Sequence, residues 1–131
     1  MPSPNLTILL AEDSQSNREL IVRGLGRVGH EVVAVEDGQA AVNALSDQHN
    51  EYNGVLMDCQ MPILNGFEAT AQIRKLDEAF GRHTIIVGFT ANGTANDKQE
   101  CLNAGMDSWI AKPIAMKELR NLVVRLFGPK E

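Results

Sequence analysis

The chain is organised by five short apolar runs, each followed by a longer segment whose apolar positions recur every three or four residues. Apolar runs of about four to eight residues are typical of strands buried on both faces, whereas the longer spacing is typical of amphipathic helices. The strands are predicted at 6–11, 31–36, 53–58, 84–89 and 108–111. The third run is the most informative, because it ends in the carboxylate of Asp58 and is closed by Pro62.

The segments that follow these runs predict five helices, the middle three at 39–45, 67–78 and 96–104. Apolar positions at helical spacing give each helix one buried stripe. The predicted contact residues are, helix by helix, Leu20, Ile21, Leu25 and Val28; Ala41, Ala44 and Leu45; Phe67, Ala71 and Arg74; Cys101 and Leu102; and Met116, Leu119, Leu122, Val123 and Leu126. Helix ends are predicted at Gly29, Gly81, Gly105 and Gly128. The fourth stripe is the weakest, so we expect that helix to pack loosely.

Strands that alternate with helices predict a parallel sheet, because a parallel connection needs a crossover of helix length. The predicted fold class is therefore α/β: a doubly wound, five-stranded parallel sheet of the (βα)5 type, with helices on both faces in a three-layer sandwich. A chain of 131 residues fits one domain. We expect this domain at 6–128, with a linker at 1–5, which holds two prolines, and a tail at 129–131.

Polar side chains follow the carboxyl ends of four predicted strands. Glu12 and Asp13 follow the first, Asp58 ends the third, Thr90 follows the fourth and Lys112 follows the fifth. Because these strand ends share one edge of the sheet, we expect the groups to face one cleft. Three neighbouring carboxylates repel one another and favour a hard divalent cation, for which Mg²⁺ is suited. The cation and Lys112 would attract a phosphoryl group, and Asp58 could act as a nucleophile that forms an aspartyl phosphate.

Each of these residues also has a structural explanation when it is taken alone. An Asp before a proline, such as Asp58, is typical of a turn, and Glu12-Asp13 can cap the first helix. A single Lys112 is typical of a solvated surface lysine, and Thr90 of a strand-end hydroxyl bonded to backbone. The occurrence of all of them at matching strand ends favours the functional interpretation.

Composition and charge narrow the function further. The formal net charge of −5 argues against general nucleic-acid binding and against contact with an anionic membrane. No apolar stretch approaches the roughly 20 residues that cross a bilayer, and no signal peptide is recognisable, so we expect a cytoplasmic domain. Cys59 and Cys101 fit free, packed thiols in a reducing compartment. His30, His49 and His83 lack metal-ligand spacing and are expected at solvated or capping positions.

From residue 6 to residue 127 the chain resembles a response-regulator receiver domain, the phosphoacceptor module of two-component and phosphorelay signalling. The matching residues are the acidic pair Glu12-Asp13, the block Met57-Asp58-Cys59-Gln60-Met61-Pro62 with Asn65-Gly66, the pair Thr90-Ala91, and Lys112-Pro113. Two further stretches, 65–74 and 104–107, are most similar to the receivers of hybrid sensor histidine kinases. The resemblance implies a flavodoxin-like fold and a phosphodonor that carries a phosphohistidine, either a histidine kinase or a phosphotransfer domain.

The resemblance also implies the chemistry of the cleft. Asp58 would accept the phosphoryl group, and Mg²⁺ would be held by Asp13, Asp58 and the backbone carbonyl of Gln60. Glu12 would act through a metal-bound water. Lys112 would pair first with Asp58 and then with a phosphoryl oxygen.

Switching is implied at two further positions. Thr90 would move inward to bond a phosphoryl oxygen, and Trp109 stands where the family places its switch aromatic, although Tyr or Phe is usual there. Gln60 and Asn92 stand at positions that tune the lifetime of the phosphoryl group. A partner would then recognise the face formed by the last two helices and the last strand.

Three alternatives stay open at the level of sequence. A Mg²⁺-dependent phosphohydrolase would share the aspartyl phosphate, but it needs a second acid two residues after the nucleophile, where this chain has Gln60. A flavodoxin-like FMN module needs a first loop of hydroxyls and amides around a phosphate, whereas this loop opens with Glu12-Asp13. A degenerate receiver that acts only as a docking module is the third, although the set of acids, Thr90 and Lys112 is complete.

The sequence contains no histidine-kinase motif and no helix-turn-helix reader of DNA. The isolated domain is therefore expected to catalyse only its own phosphorylation and dephosphorylation, without binding nucleic acid or membrane directly. The donor and the output are expected in another chain or elsewhere in a parent protein such as a hybrid sensor histidine kinase.

Overall fold

Strands and helices alternate along the whole of the described chain. The computed structural model describes residues 5–47, 52–91 and 93–128. The strands are β1 (Thr7–Ala11), β2 (Glu31–Val35), β3 (Gly54–Asp58), β4 (Ile86–Thr90) and β5 (Ser108–Ala111), and the helices are α1 (Gln15–Gly26), α2 (Gly38–Ser46), α3 (Gly66–Phe80), α4 (Ala95–Ala104) and α5 (Met116–Phe127). The predicted tail, most of the predicted linker, His49 and Asn92 lie outside the described residues.

The five strands form one parallel sheet in the order β2-β1-β3-β4-β5. The chain runs outward from β1 to β2 and then returns to place β3 on the other side of β1. Such a point, where the strand order reverses, leaves a crevice beyond the carboxyl ends of the two strands. Asp58, the last residue of β3, lies in register with Phe89 of β4, and Thr90 lies in register with Ala111 of β5. The predicted doubly wound α/β fold is confirmed.

Side chains of the central strands alternate between two buried layers. Ile8 and Leu10 pack with the apolar faces of α1 and α5, whereas Leu9 lies in the opposite layer with residues of α2, α3 and α4. All three are fully buried. Strands buried on both faces explain why the sequence shows continuous apolar runs rather than alternation.

Three of the predicted helical stripes are wider than the faces that the helices bury. In α1, Ile21 and Leu25 are buried, but Leu20 is 53% exposed; Val28 lies beyond the end of the helix at Gly26 and is also exposed. The buried face of α1 also includes Gly24, since any Cβ there would overlap the side chain of Met116 in α5. The buried face of α1 thus includes a glycine and leaves Leu20 exposed.

In the third and fourth helices, too, some residues of the predicted line are exposed. The buried residues of α3 are Gly66, Ala69, Thr70, Ile73 and Asp77, whereas Ala71 is exposed. In α4 Cys101 is the one buried residue, and Leu102 is 46% exposed. The loose packing predicted for α4 is therefore present, but it depends on one contact residue rather than two.

The last helix follows its predicted stripe closely. Leu119, Leu122 and Val123 are buried, and Met116 and Leu126 pack partly buried against the same core cluster. None of the helices within the described residues has both the length and the apolar character that spanning a membrane requires.

Candidate functional site

The carboxyl edge of the sheet brings together polar groups from four strand ends. Glu12 and Asp13 follow β1, and Asp58 closes β3. Carboxylate oxygens of these three residues all lie within 4.8 Å of one another. Glu12 and Asp58 are buried, whereas Asp13 is exposed at the mouth of the cluster. Solvent therefore contacts the cluster at Asp13, whereas Asp58 is buried.

Asp58 is held in place by hydrogen bonds and by one cation. It is 2% exposed, and its Oδ1 accepts a hydrogen bond of 3.1 Å from the backbone N–H of Gln60. The Nζ of Lys112, just after β5, lies 3.0 Å from Asp58 Oδ2 and 3.6 Å from Glu12 Oε1. The peptide bond between Lys112 and Pro113 is cis.

The charges of the cluster shift the protonation of its members. Burial alone would lower the pKa of Lys112, but its hydrogen bond and charge interaction with Asp58, together with Glu12, raise it, so the side chain stays an ammonium. Burial, and then the neighbouring Asp58, raise the pKa of Glu12 to about 7, against the opposing effects of the Ser14 N–H and Lys112. One ammonium does not compensate three carboxylates, so the cluster has an excess of negative charge.

The donor set fits a hard divalent cation. The three carboxylates offer only oxygen ligands, which Mg²⁺ prefers, and one of the three is exposed so that waters can complete the coordination shell. Glu12 Oε1 is buried without a hydrogen-bond partner among the described residues, although Lys112 lies within ion-pair distance. A buried carboxylate oxygen without a donor is costly unless a cation or water reaches it.

Thr90 adds a neutral hydroxyl to the same cavity. It is the last residue of β4 and is buried, and within the described part of the chain its Oγ1 has no hydrogen-bond partner. Thr90, Asp58, Gln60 and Lys112 all line a cavity of about 180 Å³. A buried hydroxyl without a partner is free to bond a ligand that enters this cavity.

The loop after Asp58 is fixed by a close backbone approach. The N–H of Gly66, at the start of α3, donates to the carbonyl of Cys59, and a Cβ at Gly66 would lie 2.4 Å from the Asp58 carbonyl oxygen. Asn65 and Glu68 form a capping box at this helix end. Ile63 has a φ of 68° and is 81% exposed, an uncommon conformation for a β-branched residue. The glycine and the caps thus place Asp58 and Gln60 against the N-terminus of α3.

Trp109 lies near the cluster but does not line its cavity. It is half-buried on β5, in register with Gly88 of β4, and packs against the core layer that contains Cys101 and Met106. The Nζ of Lys98 in α4 lies 5.3 Å from the centroid of the Trp109 ring. The structure therefore places Trp109 on the same face of the sheet as Thr90, against α4.

Several interactions could not be read from sequence spacing. The Sγ atoms of Cys59 and Cys101 lie 3.8 Å apart in the core, although 42 positions separate them along the chain. Both thiols are free and buried, as the sequence predicts. His30 is buried, not solvated, and its Nδ1 accepts a hydrogen bond from the N–H of Leu6. His83 is exposed and lies 2.7 Å from a carboxylate oxygen of Asp107.

Arg74, which the sequence places on one line of its helix with Phe67 and Ala71, is the centre of a polar network at the opposite edge of the sheet. It donates to the carbonyls of Gly105 and Thr84 and to the carboxylates of Asp77 and Asp107. The two stretches that resemble hybrid-kinase receivers, 65–74 and 104–107, thus contact each other through one arginine.

Comparison with protein families identifies a match over most of the chain. The model of the response regulator receiver domain matches residues 8–124. The sensor protein GacS of Pseudomonas syringae pv. syringae is 39% identical over 122 residues, which are 92% of this chain and 13% of that protein. The hybrid signal transduction histidine kinase I of Dictyostelium discoideum is 36% identical, over 88% of this chain and 7% of that protein. The chain thus spans only a small part of the length of these curated relatives.

Solved structures agree with this result. The receiver domain of a sensor histidine kinase from Pseudomonas aeruginosa PAO1, which has a magnesium ion coordinated in its active-site cleft, is 37% identical with a TM-score of 0.84, over 96% of this chain and 100% of that one. The receiver domain of Ssk1 from Saccharomyces cerevisiae, crystallised with the histidine phosphotransfer protein Ypd1, is 26% identical with a TM-score of 0.89, over 95% of this chain and 90% of that one. With the family model, these likenesses show that the chain belongs to the response regulator receiver domain family of two-component and phosphorelay signalling.

Proposed function

We propose that Asp58 accepts a phosphoryl group from a phosphohistidine in a Mg²⁺-dependent reaction. The observation that carries this proposal is the environment of one carboxylate. Asp58 is buried beside Glu12 and Asp13, within 4.8 Å, and its Oδ2 lies 3.0 Å from the ammonium of Lys112. A carboxylate oxygen in such a position can act as a nucleophile, and the ammonium of Lys112 beside it attracts a phosphoryl group.

Mg²⁺ would be bound by Asp13, Asp58 and the backbone carbonyl of Gln60, with Glu12 acting through a water molecule. The all-oxygen donor set supports this assignment, and so does the buried Glu12 Oε1, which has no hydrogen-bond partner among the described residues. When bound, the ion would neutralise the charge of the phosphoryl oxygens. The related receiver from Pseudomonas aeruginosa, with magnesium in its cleft, gives independent support.

The residues of this chain supply the remaining chemistry. An oxygen of Asp58 attacks phosphorus, the new O–P bond forms as the N–P bond of the donor breaks, and the imidazole nitrogen keeps the electron pair of that bond. Lys112 exchanges its contact with Asp58 for one with a phosphoryl oxygen. The unpartnered Oγ1 of Thr90 donates a hydrogen bond to another phosphoryl oxygen. Together these groups replace the hydration that the phosphoryl group leaves behind.

Thr90 and Trp109 would report the modification to the rest of the domain. If Thr90 moves toward a phosphoryl group, it changes the space that it shares with α4 and with Trp109 on the same face of the sheet. The loose packing of α4, which buries only Cys101, supports a low cost for that movement. Partners would then distinguish the two states through the face formed by α4, β5 and α5.

The donor would dock beside the mouth of the cluster. A second cavity of about 440 Å³, lined by Leu20, Pro113, Ile114 and Lys112, adjoins the site, and Leu20 and Ile63 are large exposed apolar residues. Apolar surface around a buried nucleophile is suited to a protein donor, since it excludes water when covered. The complex of Ypd1 with the related Ssk1 receiver supports a phosphotransfer protein as partner.

We also propose that the chain is the receiver segment of a hybrid sensor histidine kinase. The curated relatives named above are sensor kinases of which it matches a small part, 13% in GacS. A phosphohydrolase is less well supported, because the residue two positions after Asp58 is Gln60, which has no acidic proton to donate. A docking module without phosphorylation would leave the complete cation-binding cluster without a role.

The test is phosphorylation by a small donor. The wild type incubated with Mg²⁺ and acetyl phosphate should gain the mass of one phosphoryl group, and EDTA should prevent the gain. Asp58→Asn should gain none, because the side-chain amide of asparagine is not a nucleophile toward phosphorus. Glu78→Gln, a neutral replacement of an exposed acid on α3, should be labelled at the wild-type rate. Labelling of Asp58→Asn as in the wild type would contradict the proposal.

Replacement of Lys112 should allow phosphorylation of Asp58 but abolish the structural response at Trp109. Lys112→Ala removes the cation that links Asp58 to β5, so a phosphoryl group can still be attached but its charge no longer reaches Trp109 through this contact. On phosphorylation we expect Trp109 fluorescence to change in the wild type, whereas Lys112→Ala should gain the mass of the phosphoryl group without that change. Lys117→Ala, at an exposed position of α5, is the control that should keep both signals.

A further inference from the structure

One contact joins α4 to the aromatic residue of β5. The Nζ of Lys98 lies 5.3 Å from the centroid of the Trp109 ring, within the roughly 6 Å over which a cation is attracted to an aromatic face. Both residues are half-buried. Within residues 5–47, 52–91 and 93–128, Lys98 forms no ion pair, so its ammonium is directed to the ring and not to a carboxylate.

The Trp109 ring and the Thr90 side chain lie on the same face of the sheet. Trp109 is in register with Gly88 and Thr90 with Ala111, so both side chains lie on the α4 side of the sheet. Asp97 and Glu100, on either side of Lys98 along α4, line the same cavity as Thr90 and Asp58. Lys98 thus contacts the ring from the same helix that lines the cavity which a phosphoryl group would occupy.

The rest of α4 is held at its other end. The carbonyl of Gly105 accepts hydrogen bonds of 2.9 and 2.6 Å from Arg74, and Cys101 is buried. The N-terminal turn, in contrast, is capped by its own Thr94 and Asp97. Among the described residues the half of the helix that carries Lys98 has no side-chain hydrogen bond to another element, so its contact with Trp109 would oppose movement of this half.

We propose that Lys98 is a positioning residue, which latches Trp109 against α4 in the resting domain and so opposes the phosphorylated conformation. The inference rests on the proposed function, since it assumes that Trp109 changes position when Asp58 is modified. A ring that moves toward Thr90 leaves the ammonium, and the cation–π contact is lost. The latch therefore sets part of the equilibrium between the two conformations, because a contact made in one state only shifts their populations.

The test measures binding of beryllofluoride, a phosphoryl mimic, in the presence of Mg²⁺ by calorimetry. Lys98→Gln should bind it about two- to fivefold more tightly than the wild type, the factor expected from loss of a partly exposed cation–π contact in the resting state alone. Lys98→Arg should bind as the wild type does, because a guanidinium also stacks on an indole. Lys75→Gln removes the same charge from an exposed position of α3 and should change nothing.

A double-mutant cycle distinguishes the latch from a general effect of charge. In a Trp109→Leu background, Lys98→Gln should no longer change the affinity for beryllofluoride. An unchanged affinity of Lys98→Gln in the wild-type background, or the same increase with and without the ring, would overturn the proposal.

A second measurement does not depend on folding of the Trp109→Leu variant. Acrylamide should quench Trp109 fluorescence more strongly in Lys98→Gln than in Lys75→Gln, because the ring is no longer covered. Equal quenching would overturn the latch. Labelling of Asp58 by acetyl phosphate is followed in each variant, so failure of the phosphoacceptor itself would be recognised separately from failure of the latch.

Discussion

Lys112 and Arg74 show, at the scale of single residues, how two ionic clusters in one domain differ. Around Lys112 one ammonium faces three carboxylates, and a buried oxygen of Glu12 has no hydrogen-bond donor. Around Arg74 two arginines face Asp77, both of whose oxygens also accept from Thr84. The second cluster is satisfied and stabilises the fold, whereas the first has an excess of negative charge that a cation can relieve.

Replacement of Asp77 should therefore reduce stability and not phosphorylation chemistry. Asp77→Ala leaves Arg74 and Thr84 without their buried partner, so we expect a loss of about 3 kcal/mol in the free energy of unfolding. Urea denaturation measures it. The neighbouring Glu78→Ala, on the exposed side of α3, should change the same quantity by less than about 0.5 kcal/mol. Equal effects of the two substitutions would contradict the structural role.

The residues of the site could be predicted because their positions follow from topology. Strand ends are visible in the sequence, and parallel strands bring Glu12, Asp58 and Lys112 to one edge whatever the details of packing. Contacts between side chains within the core have no comparable pattern in the sequence. The approach of Cys59 to Cys101 depends on how α4 packs against the sheet, which local spacing does not encode.

At the scale of elements, the junction of β3 and α3 places the nucleophile. The carbonyl of Asp58 passes so close to Gly66 that no side chain fits there, and α3 starts at this glycine with a capping box. The loop after the strand is thereby fixed at both ends, by the Asp58 side chain at one and by the helix cap at the other. The geometry of the site thus depends on a backbone contact as well as on charged side chains.

Gly66→Ala and Gly26→Ala make a matched pair, because the first should lower the stability of the domain and the second should raise it. The first introduces a Cβ at 2.4 Å from the Asp58 carbonyl oxygen, so the loop must shift, and both stability and the rate of labelling by acetyl phosphate should fall. The second adds a methyl group where nothing lies within 4 Å, in α1, and should stabilise the domain by about 0.5–1 kcal/mol. Thermal unfolding and the labelling rate are the measurements. Equal labelling rates in the two variants would contradict the importance of the junction.

Strands could be predicted better than the buried faces of helices. All five apolar runs are strands, because burial on both sides demands continuous apolar sequence. A helix buries only one side, and which side depends on its neighbours: α1 packs Gly24 against Met116 and leaves Leu20 exposed, and Ala71 of α3 is exposed as well. The spacing of apolar residues therefore predicts where a helix lies better than it predicts which of its small or amphipathic residues are buried.

At the scale of the whole molecule, the two edges of the sheet have different chemistry. The carboxyl edge holds the acidic cluster and the hydroxyl of Thr90, which has no hydrogen-bond partner in the part of the chain that the structure describes. At the opposite edge, side chains mostly satisfy backbone groups: His30 accepts from the N–H of Leu6, and Asp107 from that of Ile86. One edge is thus fixed while the other keeps groups available for a ligand, which is what a switch on a rigid scaffold requires.

His30 should make stability depend on pH. Burial lowers the pKa of its imidazole from the usual 6.5, because the core disfavours the charged ring. The Nδ1 that accepts the Leu6 N–H does so in the neutral form. Its contribution is therefore present above about pH 6.5 and is lost as the pH falls through the lower folded value, because the unfolded chain binds the proton more readily. Urea midpoints at about pH 7.5 and pH 5.5 measure the difference. His30→Gln should lose less stability between these two conditions than the wild type, and an identical loss in both would contradict this origin.

The central claim, that one edge of the sheet makes Asp58 a phosphoacceptor, is tested most directly by locating the phosphoryl group. The domain is phosphorylated in Mg²⁺ by a phosphohistidine-bearing phosphotransfer protein, the acyl phosphate is reduced with borohydride, and the modified residue is identified by peptide sequencing in a mass spectrometer. We expect modification of Asp58 alone, and no modification in the presence of EDTA. Modification at another residue, or transfer that is indifferent to EDTA, would contradict it.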